Sequence, residues 1–229
     1  MFWFYDYYYL ILVVPAIIIS LIAQANVKST YRKMSSVQNR KNITGAQAAY
    51  SVLSFCGLAN TVRIENVAGN LTDHYDPRTN VIRLSNGVYS GTSIASIGIA
   101  CHEAGHAIQH AEGYAAIKIR NAILPVANFG SSAGVLIAIF GYFLGYQAIV
   151  NIGIILFAAV VVFQLVTLPV EFNASSRAMK LIAEKGLLYE DELPKARKVL
   201  TAAAMTYVAS LLVSIMSLLR LILRTNRRR

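Results

Sequence analysis

Charged residues are scarce in this sequence. They make up 14% of its 229 residues, whereas soluble globular domains carry about 25%. Hydrophobic residues reach 56% and the mean hydropathy is +0.51. These values exclude an ordinary soluble domain and indicate an integral membrane protein. Four apolar segments approach the ~20 residues that a bilayer-spanning helix needs, at about residues 4–23, 126–145, 148–168 and 199–219.

Cysteine is almost absent as well. Cys56 and Cys101 are the two in the chain, and they lack the spacing of a cysteine metal site. We interpret Cys101 as a small buried apolar residue. Two free thiols fit a reducing, cytosolic environment.

The N-terminal segment has no Lys or Arg ahead of its apolar run and carries Asp6 instead. Ala23-Gln24-Ala25 resembles a signal-peptidase site, but a cleaved signal peptide would begin with positive charge. Aromatic residues at 2–5 and 7–9 are typical of an interfacial belt. We therefore expect a retained anchor.

The second and third spans are separated by two residues. We expect them, at 126–145 and 148–168, to form a tight helical hairpin, and we expect the third span to end at Pro169.

Basic residues are unevenly distributed. Of the 21 Lys and Arg, 10 lie within residues 24–125 and 6 within 170–198, so the positive-inside rule places both stretches in the cytosol. The arginines after residue 219 would then lie outside if 199–219 crosses, which leaves a re-entrant, surface-lying or docked segment as the alternative. The net charge of +10 fits membrane electrostatics. No nucleic-acid motif is present, and we expect no nucleic-acid partner.

Residues 102–106 read His102-Glu103-Ala104-Gly105-His106, an H-E-x-x-H motif. On a helix, residues four apart lie on one face, so both imidazoles can bind one Zn²⁺. Glu103 lies about 100° round the helix, within reach of a zinc-activated water whose proton it can accept. A chance match on a buried helix is the alternative. Gly105 argues against it, since a helical glycine costs about 1 kcal/mol and indicates close approach of another element.

A catalytic zinc takes three protein ligands and keeps one open position. His74, His110, Glu112, Glu171 and Glu184 are the candidates for the third. His110 is too far along the helix axis and is interpreted as a surface residue or a support for a ligand. Glu171 is favoured because a carboxylate directly after an apolar span needs a reason, which a metal would supply. An interfacial acid at a helix end is the alternative.

The extramembrane part is predicted to hold a helix at 44–56 with Thr44 as N-cap, ended by Gly57. Ala46, Ala49, Tyr50 and Leu53 would share its apolar face. Short strands are predicted around residues 62–64 and 80–85, and a turn at 76–80 separates residues 71–75 from the second strand. Strand 80–85 is expected to be an edge strand, which can bind an extended peptide through main-chain hydrogen bonds; a purely structural strand is the alternative.

Several separated motifs, in matching order, resemble the bacterial YugP-type membrane-bound neutral zinc metallopeptidases: D-H-Y-D-P at 73–77, V-I-R-L-S at 81–85, H-E-A-G-H at 102–106, L-P-V-E-F-N-A-S at 168–175 and A-A-M-T-Y-V at 203–208. That family is similar to membrane gluzincins with H-E-x-x-H and a distal Glu. The resemblance implies that His102, His106 and Glu171 bind zinc and that Glu103 is the catalytic acid and base. Ser175 and Asn173 depart from the pattern, since Asp is expected at each.

The predicted fold is mostly α: a polytopic helical membrane protein with a small α+β zincin-like domain, a short sheet plus the H-E-x-x-H helix. Its predicted parts are an N-terminal anchor (1–25), a catalytic domain (26–125), a transmembrane hairpin (126–168), the segment with the third ligand (169–198) and a hydrophobic helix with a basic tail (199–229).

The predicted function is a multi-pass, zinc-dependent endopeptidase with one Zn²⁺ per chain, its active site on the cytoplasmic face, acting on a peptide or membrane-protein substrate. Tyr207, His74 and Tyr75 are candidates for stabilising the oxyanion. Oligomeric state stays open. A non-proteolytic zinc scaffold and a metal carrier or transporter are the alternatives; the second and third spans hold no charge at mid-depth, which disfavours transport.

Overall fold

The computed structural model describes residues 6–226. The predicted aromatic run at 2–5, the start of the first predicted span and the three arginines at 227–229 lie outside this range. The chain divides into two compact units. The membrane unit consists of Met1–Gln24, Ala115–Pro169 and Met205–Arg229, and the sheet unit of Ala25–Tyr114 and Val170–Ala204. The five-part division of the sequence stays a prediction.

Helices dominate the described residues, and a short sheet precedes the motif helix. In chain order the elements are α1 (Val14–Ser35, after a π-helical turn at Tyr9–Val13), α2 (Gly45–Phe55), β1 (Arg63–Val67), β2 (His74–Asp76), β3 (Val81–Ser85), α3 (Asn86–Tyr89), α4 (Ile94–Ala111), α5 (Ala115–Phe129), α6 (Val135–Leu144, after a π-helical turn at Gly130–Gly134), α7 (Gln147–Glu184) and α8 (Leu193–Asn226). This architecture confirms the predicted fold class.

Four helices in the described range are long and apolar enough to cross a membrane: Tyr9–Ser35, Ala115–Leu144, Gln147–Glu184 and Leu193–Thr225. They run for 27, 30, 38 and 33 residues, which exceeds the ~20 residues that a span requires. The hydropathy pattern therefore located their apolar parts but not their full lengths, because their polar ends continue the same helices.

Within the membrane unit, α5–α6 and the first part of α7 form the expected tight hairpin. Gly145 ends α6 with φ of 76°, a left-handed conformation that glycine adopts without steric cost. Small residues then let the two arms meet closely: a Cβ at Gly141 would lie 2.7 Å from the backbone nitrogen of Val150. Such small-residue contacts are typical of packed membrane helices.

The third span was expected to end at Pro169, and the membrane unit does end there, but the helix that contains the span does not. Helix α7 continues through Pro169 to Glu184. Proline lacks one backbone N–H, but membrane helices tolerate this loss when neighbouring groups satisfy the freed carbonyl. The residues after Pro169 therefore stay helical and place Glu171 on a helix rather than in a loop.

The sheet has the strand order β1-β3-β2. Strand β1 pairs with β3 in parallel, with Arg63 opposite Val81, and β2 pairs with β3 antiparallel, with His74 opposite Arg83. The 80–85 strand is therefore central, and the expectation that it is an edge strand open to a peptide is wrong. Both of its hydrogen-bonding edges are already used, and Val81, Ile82 and Leu84 are fully buried.

Helix α2 begins as its sequence predicts. The Thr44 hydroxyl accepts from the Gln47 N–H at 3.2 Å, and the Gln47 side chain accepts from the Thr44 N–H at 2.8 Å, which forms a capping box. The buried face differs from the expected one, because Tyr50 is 58% exposed. Gly45, Ala48, Ala49, Val52 and Leu53 are the buried residues, and their spacing is that of one helical face.

One hydrophobic core fixes the motif helix in the sheet unit. It joins side chains from α2, β3, α4 and the second part of α7, among them Val52, Leu53, Ile82, Leu84, Ile97, Ala104, Ala178 and Ile182. Each fully buried Leu or Ile contributes about 1.5–3 kcal/mol relative to exposure. The core thus holds α4 and α7 in the arrangement that determines the site.

Candidate metal centre

Helix α4 presents the two motif histidines side by side. Its N-cap is Ser93, whose hydroxyl accepts from the Ser96 N–H at 3.1 Å. Most of the helix is buried, but the His102 and His106 side chains remain 16% and 15% exposed. Their rings lie 4.7 Å apart between centroids, at 83° to each other. The helical repeat therefore produces the juxtaposition expected from the sequence.

Helix α7 brings Glu171 against both rings. Its Oε2 lies 3.4 Å from His102 Nε2 and 3.5 Å from His106 Nε2, and one donor atom from each of the three residues lies within 4.8 Å of the others. Glu171 is 4% exposed. Burying a carboxylate is costly unless a cation or hydrogen-bond donors compensate it. The three residues favoured as ligands from the sequence are therefore neighbours in the fold.

Close packing at Gly105 makes this approach possible. A Cβ there would lie 2.7 Å from the carbonyl oxygen of Ala174 on α7, closer than real side chains allow. The expectation that Gly105 marks the approach of another element agrees with this contact. Ala174 lies three residues after Glu171, so the contact also sets the height of the carboxylate along α4.

Gln109 orients His106. Its Nε2 donates to the Val170 carbonyl at 2.8 Å and to Asn173 Oδ1 at 2.9 Å, so the amide presents Oε1 to His106 Nδ1, 3.0 Å away. Because Oε1 can only accept, Nδ1 carries the proton and Nε2 keeps its lone pair on the side of Glu171. A ligating histidine needs this tautomer.

Ser175 takes the matching position at His102. Its hydroxyl lies 3.2 Å from His102 Nδ1, where a carboxylate would be expected from the wider pattern. A hydroxyl oxygen can accept a hydrogen bond from Nδ1–H without adding negative charge. Asn173, the other departure, accepts from Gln109 and from Arg177 Nε at 2.7 Å. Both departures therefore retain polar contacts around the histidines.

Glu103 is buried beside the cluster, with 8% of its surface exposed. Burial alone would lower the pKa of His106. The carboxylates of Glu171 and Glu103 outweigh it and raise that pKa. The centre is thus electronegative and suited to a cation.

The other candidate ligands lie elsewhere in the sheet unit. His74 Nδ1 contacts the Thr72 carbonyl at 2.8 Å, and the exposed His110 packs against Tyr75 with 6.0 Å between ring centroids and 55° between ring planes. Glu112 pairs with Arg177 at 2.7 Å and Glu184 with Lys180 at 3.7 Å. None of the four joins the three-residue cluster found among the described residues.

Of the oxyanion candidates, Tyr75 donates to Asn80 Oδ1 at 2.8 Å within the hairpin of β2 and β3. His74 lies on β2 in the same hairpin. Tyr207 belongs to the membrane unit, and its role stays a prediction.

Sequence reasoning did not single out Gln109 or Arg177. Gln109 follows His106 by three residues and lies on the same side of α4. The signal available in the sequence was a polar glutamine within an apolar helical stretch. The structure shows that this glutamine is fully buried. Arg177 connects Asn173 to Glu112, which no local pattern indicates.

The donor set fits zinc. Two imidazole nitrogens and one carboxylate oxygen form a ligand set of catalytic zinc sites. Ligands about 2.0–2.1 Å from a tetrahedral zinc lie about 3.3–3.4 Å apart, close to the 3.4 and 3.5 Å observed here. The hydrogen bonds at both Nδ1 atoms complete the arrangement.

Long apolar helices, a short sheet and a buried His-His-Glu cluster define a membrane metallopeptidase-like architecture. Residues 9–226 match the family described as "Putative neutral zinc metallopeptidase", and the chain belongs to this family. It is similar to the "Putative membrane protease YugP" of Bacillus subtilis (strain 168), with 47% identity over 215 residues, covering 94% of this chain and 95% of that relative. No solved structure matches. The resemblance seen in the motifs is confirmed.

Proposed function

We propose that this membrane protein is a zinc-dependent endopeptidase that holds one Zn²⁺ per chain on His102, His106 and Glu171. The observation that carries the proposal is the Glu171 carboxylate oxygen between two imidazole nitrogens, at 3.4 and 3.5 Å. Membership of a zinc metallopeptidase family supports it. Bound zinc would polarise a carbonyl as a Lewis acid and lower the pKa of water towards neutrality.

Glu103 supplies the proton transfers in this proposal. It follows His102 directly, so its side chain points about 100° away round the helix from the His102 ring. Its carboxylate is buried near the site without being one of the three clustered donors. It accepts a proton from the attacking water and delivers it to the leaving amine.

We propose that the substrate is a peptide or a membrane-protein segment bound in an extended form. Because β3 is central, strand addition requires an edge strand, β1 or β2. Strand β2 is favoured, since its Tyr75 ring lies 6.0 Å from the His110 ring on α4. The positive-inside rule supports a multi-pass protein with this site on the cytoplasmic face.

A non-proteolytic zinc scaffold is the main alternative. A structural zinc site usually has four protein ligands and needs no base. Here three donors cluster and a buried carboxylate follows the first histidine. A metal carrier is less well supported, because the sequence has no charged residues at mid-depth in the second and third spans, where a transport pathway would be expected to have them.

Replacing Glu103 by Gln tests the base. We expect Glu103→Gln to retain zinc. Its rate of peptide hydrolysis should fall by ~10²–10⁴-fold or more, the contribution typical of general acid–base catalysis. Metal analysis and peptidase assays on purified protein measure both, and proteomics of membranes from cells with either form identifies substrates. Glu190→Gln, at an exposed position, is the control and should behave as wild type. Loss of zinc together with activity would show that Glu103 is a ligand.

Replacing Glu171 tests the metal set. Glu171→Ala and Glu171→Gln should both lower zinc affinity strongly, since one of three protein ligands is removed or made neutral. Glu184→Gln, an acid further along the same helix, should leave it unchanged. Zinc titration in detergent measures the affinities. Wild-type affinity in Glu171→Ala would remove Glu171 from the site, and Glu112 would be tested next.

A further inference from the structure

The membrane unit contains a cluster of one acidic residue and two arginines. Asp6 Oδ2 accepts from Arg220 at 3.2 Å and from Arg224 at 2.8 Å. The two arginines are four residues apart on α8 and therefore share a face. The three side chains are 8%, 16% and 24% exposed, and the Arg220 guanidinium lies 5.1 Å from the Tyr9 ring centre. These are charged groups largely withdrawn from solvent.

The cluster carries more positive than negative charge. Asp6 is the one Asp or Glu in the sequence segments 1–24, 115–169 and 205–229 that form the unit. Within the described residues, two guanidiniums thus contact the single carboxylate of Asp6. A largely buried excess charge is costly unless an anion accompanies it.

A cavity of about 210 Å³ opens beside the cluster. Arg220 and Arg224 line one part of it, together with the hydroxyl-bearing residues Tyr9 and Ser217. Its remaining wall is apolar and consists of Val13, Val135, Phe157 and Leu221. The cavity therefore offers cationic donors to one end of a ligand and a hydrophobic surface to the other.

We propose that this cavity, which we call the arginine cavity, binds an anionic phospholipid, with the phosphate at Arg220 and Arg224 and the glycerol and first acyl carbons against the apolar wall. Guanidinium groups bind phosphate through paired N–H donors. The elements that line the cavity are long apolar helices, so the phosphate most available to them belongs to a lipid. An overall anionic headgroup balances the excess charge, and a zwitterionic one does not.

Native mass spectrometry of the full chain, delipidated in neutral detergent, tests the proposal. The probes are phosphatidylglycerol, phosphatidylcholine and inorganic phosphate. We expect saturable binding of phosphatidylglycerol, with weaker binding of the other two. Arg220→Gln and Arg224→Gln should each lower the phosphatidylglycerol affinity about fivefold or more, as expected for one arginine near an anionic headgroup.

Two further variants keep the test decisive. Asp6→Asn removes the competing carboxylate and should raise the affinity for phosphatidylglycerol, whereas a merely damaged fold would lower it. Arg120→Gln is the control: this arginine is in the same unit but lies against Phe163, and its loss should have no effect. The proposal is overturned if Arg220→Gln and Arg120→Gln bind alike or if Asp6→Asn weakens binding. Phosphatidylcholine or inorganic phosphate binding as tightly as phosphatidylglycerol would also overturn it.

Discussion

Gln109 fixes the protonation of His106 through contacts that no motif encodes. Its amide donates to the Val170 carbonyl and to Asn173. On α7, Val170 directly precedes Glu171, and Asn173 follows it closely. One buried side chain therefore connects a histidine of α4 to the helix that carries the acid. Partners of this kind commonly contribute 10–100-fold to metal affinity.

We expect Gln109→Ala to lower zinc affinity by roughly 10–100-fold, since His106 loses its acceptor and two α7 groups lose their donor. Competition titration with a chelator in detergent measures the change. The matched control is His110→Ala, the next residue and an exposed one, which should keep wild-type affinity. Equal affinity in the two variants would mean that Gln109 only fills space.

At this scale the sequence predicted the cluster well, because a helix repeat determines the distance between His102 and His106. Glu171 required a chemical argument about a carboxylate beside an apolar segment. Gln109 and Arg177 were not predicted, since each has a partner on an element more than fifty residues away in the chain. Their pairing depends on how α4 and α7 pack, which local patterns do not contain.

Among the elements, α4 carries two glycines in different surroundings. A Cβ added at Gly105 would lie 2.7 Å from the Ala174 carbonyl oxygen. A Cβ added at Gly98 would lie 3.7 Å from the Ala196 carbonyl oxygen, which is an ordinary contact distance. The same substitution at the two positions therefore separates the effect of packing from that of helix propensity. Only the first contact involves the helix that bears Glu171.

We expect Gly105→Ala to cost about 1–3 kcal/mol in the free energy of unfolding, as overpacking does, and to weaken zinc binding. Gly98→Ala should be neutral or stabilising by up to about 1 kcal/mol, because alanine favours the helix. Denaturant unfolding of the detergent-solubilised protein gives the first quantity and zinc titration the second. A Gly105→Ala protein as stable as Gly98→Ala would contradict the close contact.

Two expectations at this scale differ from the structure. The third span was expected to end at Pro169, where the membrane unit does end, but its helix continues to Glu184. The 80–85 strand was expected at an edge, but strand order depends on where β1 and β2 pair, and hydrophobic alternation does not report pairing partners. Element positions were therefore predictable, and neighbour relations were not.

For the whole molecule, the uneven distribution of Lys and Arg predicts the orientation in the membrane. We expect Ser36→Cys and Ser176→Cys to resist an impermeant thiol reagent in intact cells. Tyr146→Cys, between α6 and α7 and 62% exposed, should react. The three cysteine variants are made in a protein that carries Cys56→Ser, because Cys56 is a free and partly exposed cysteine. Cys101 can stay, because it is fully buried and burial raises the pKa of its thiol.

Labelling of permeabilised cells provides the control for accessibility, since Ser36 and Ser176 are exposed on the protein. Reaction at both positions from outside intact cells would reverse the orientation and place the candidate metal centre in an extracytoplasmic space.

The sheet unit is discontinuous in the chain, and this has a consequence for the time at which the site is completed. Residues Ala25–Tyr114 leave the ribosome before Val170–Ala204 are made. At ~5–20 residues per second, the stretch from 115 to 170 takes roughly 3–11 s to synthesise. During that interval both histidines exist without Glu171. A nascent chain therefore has no complete donor set until its membrane hairpin has been synthesised, which delays assembly of the candidate centre until most of the protein has been made.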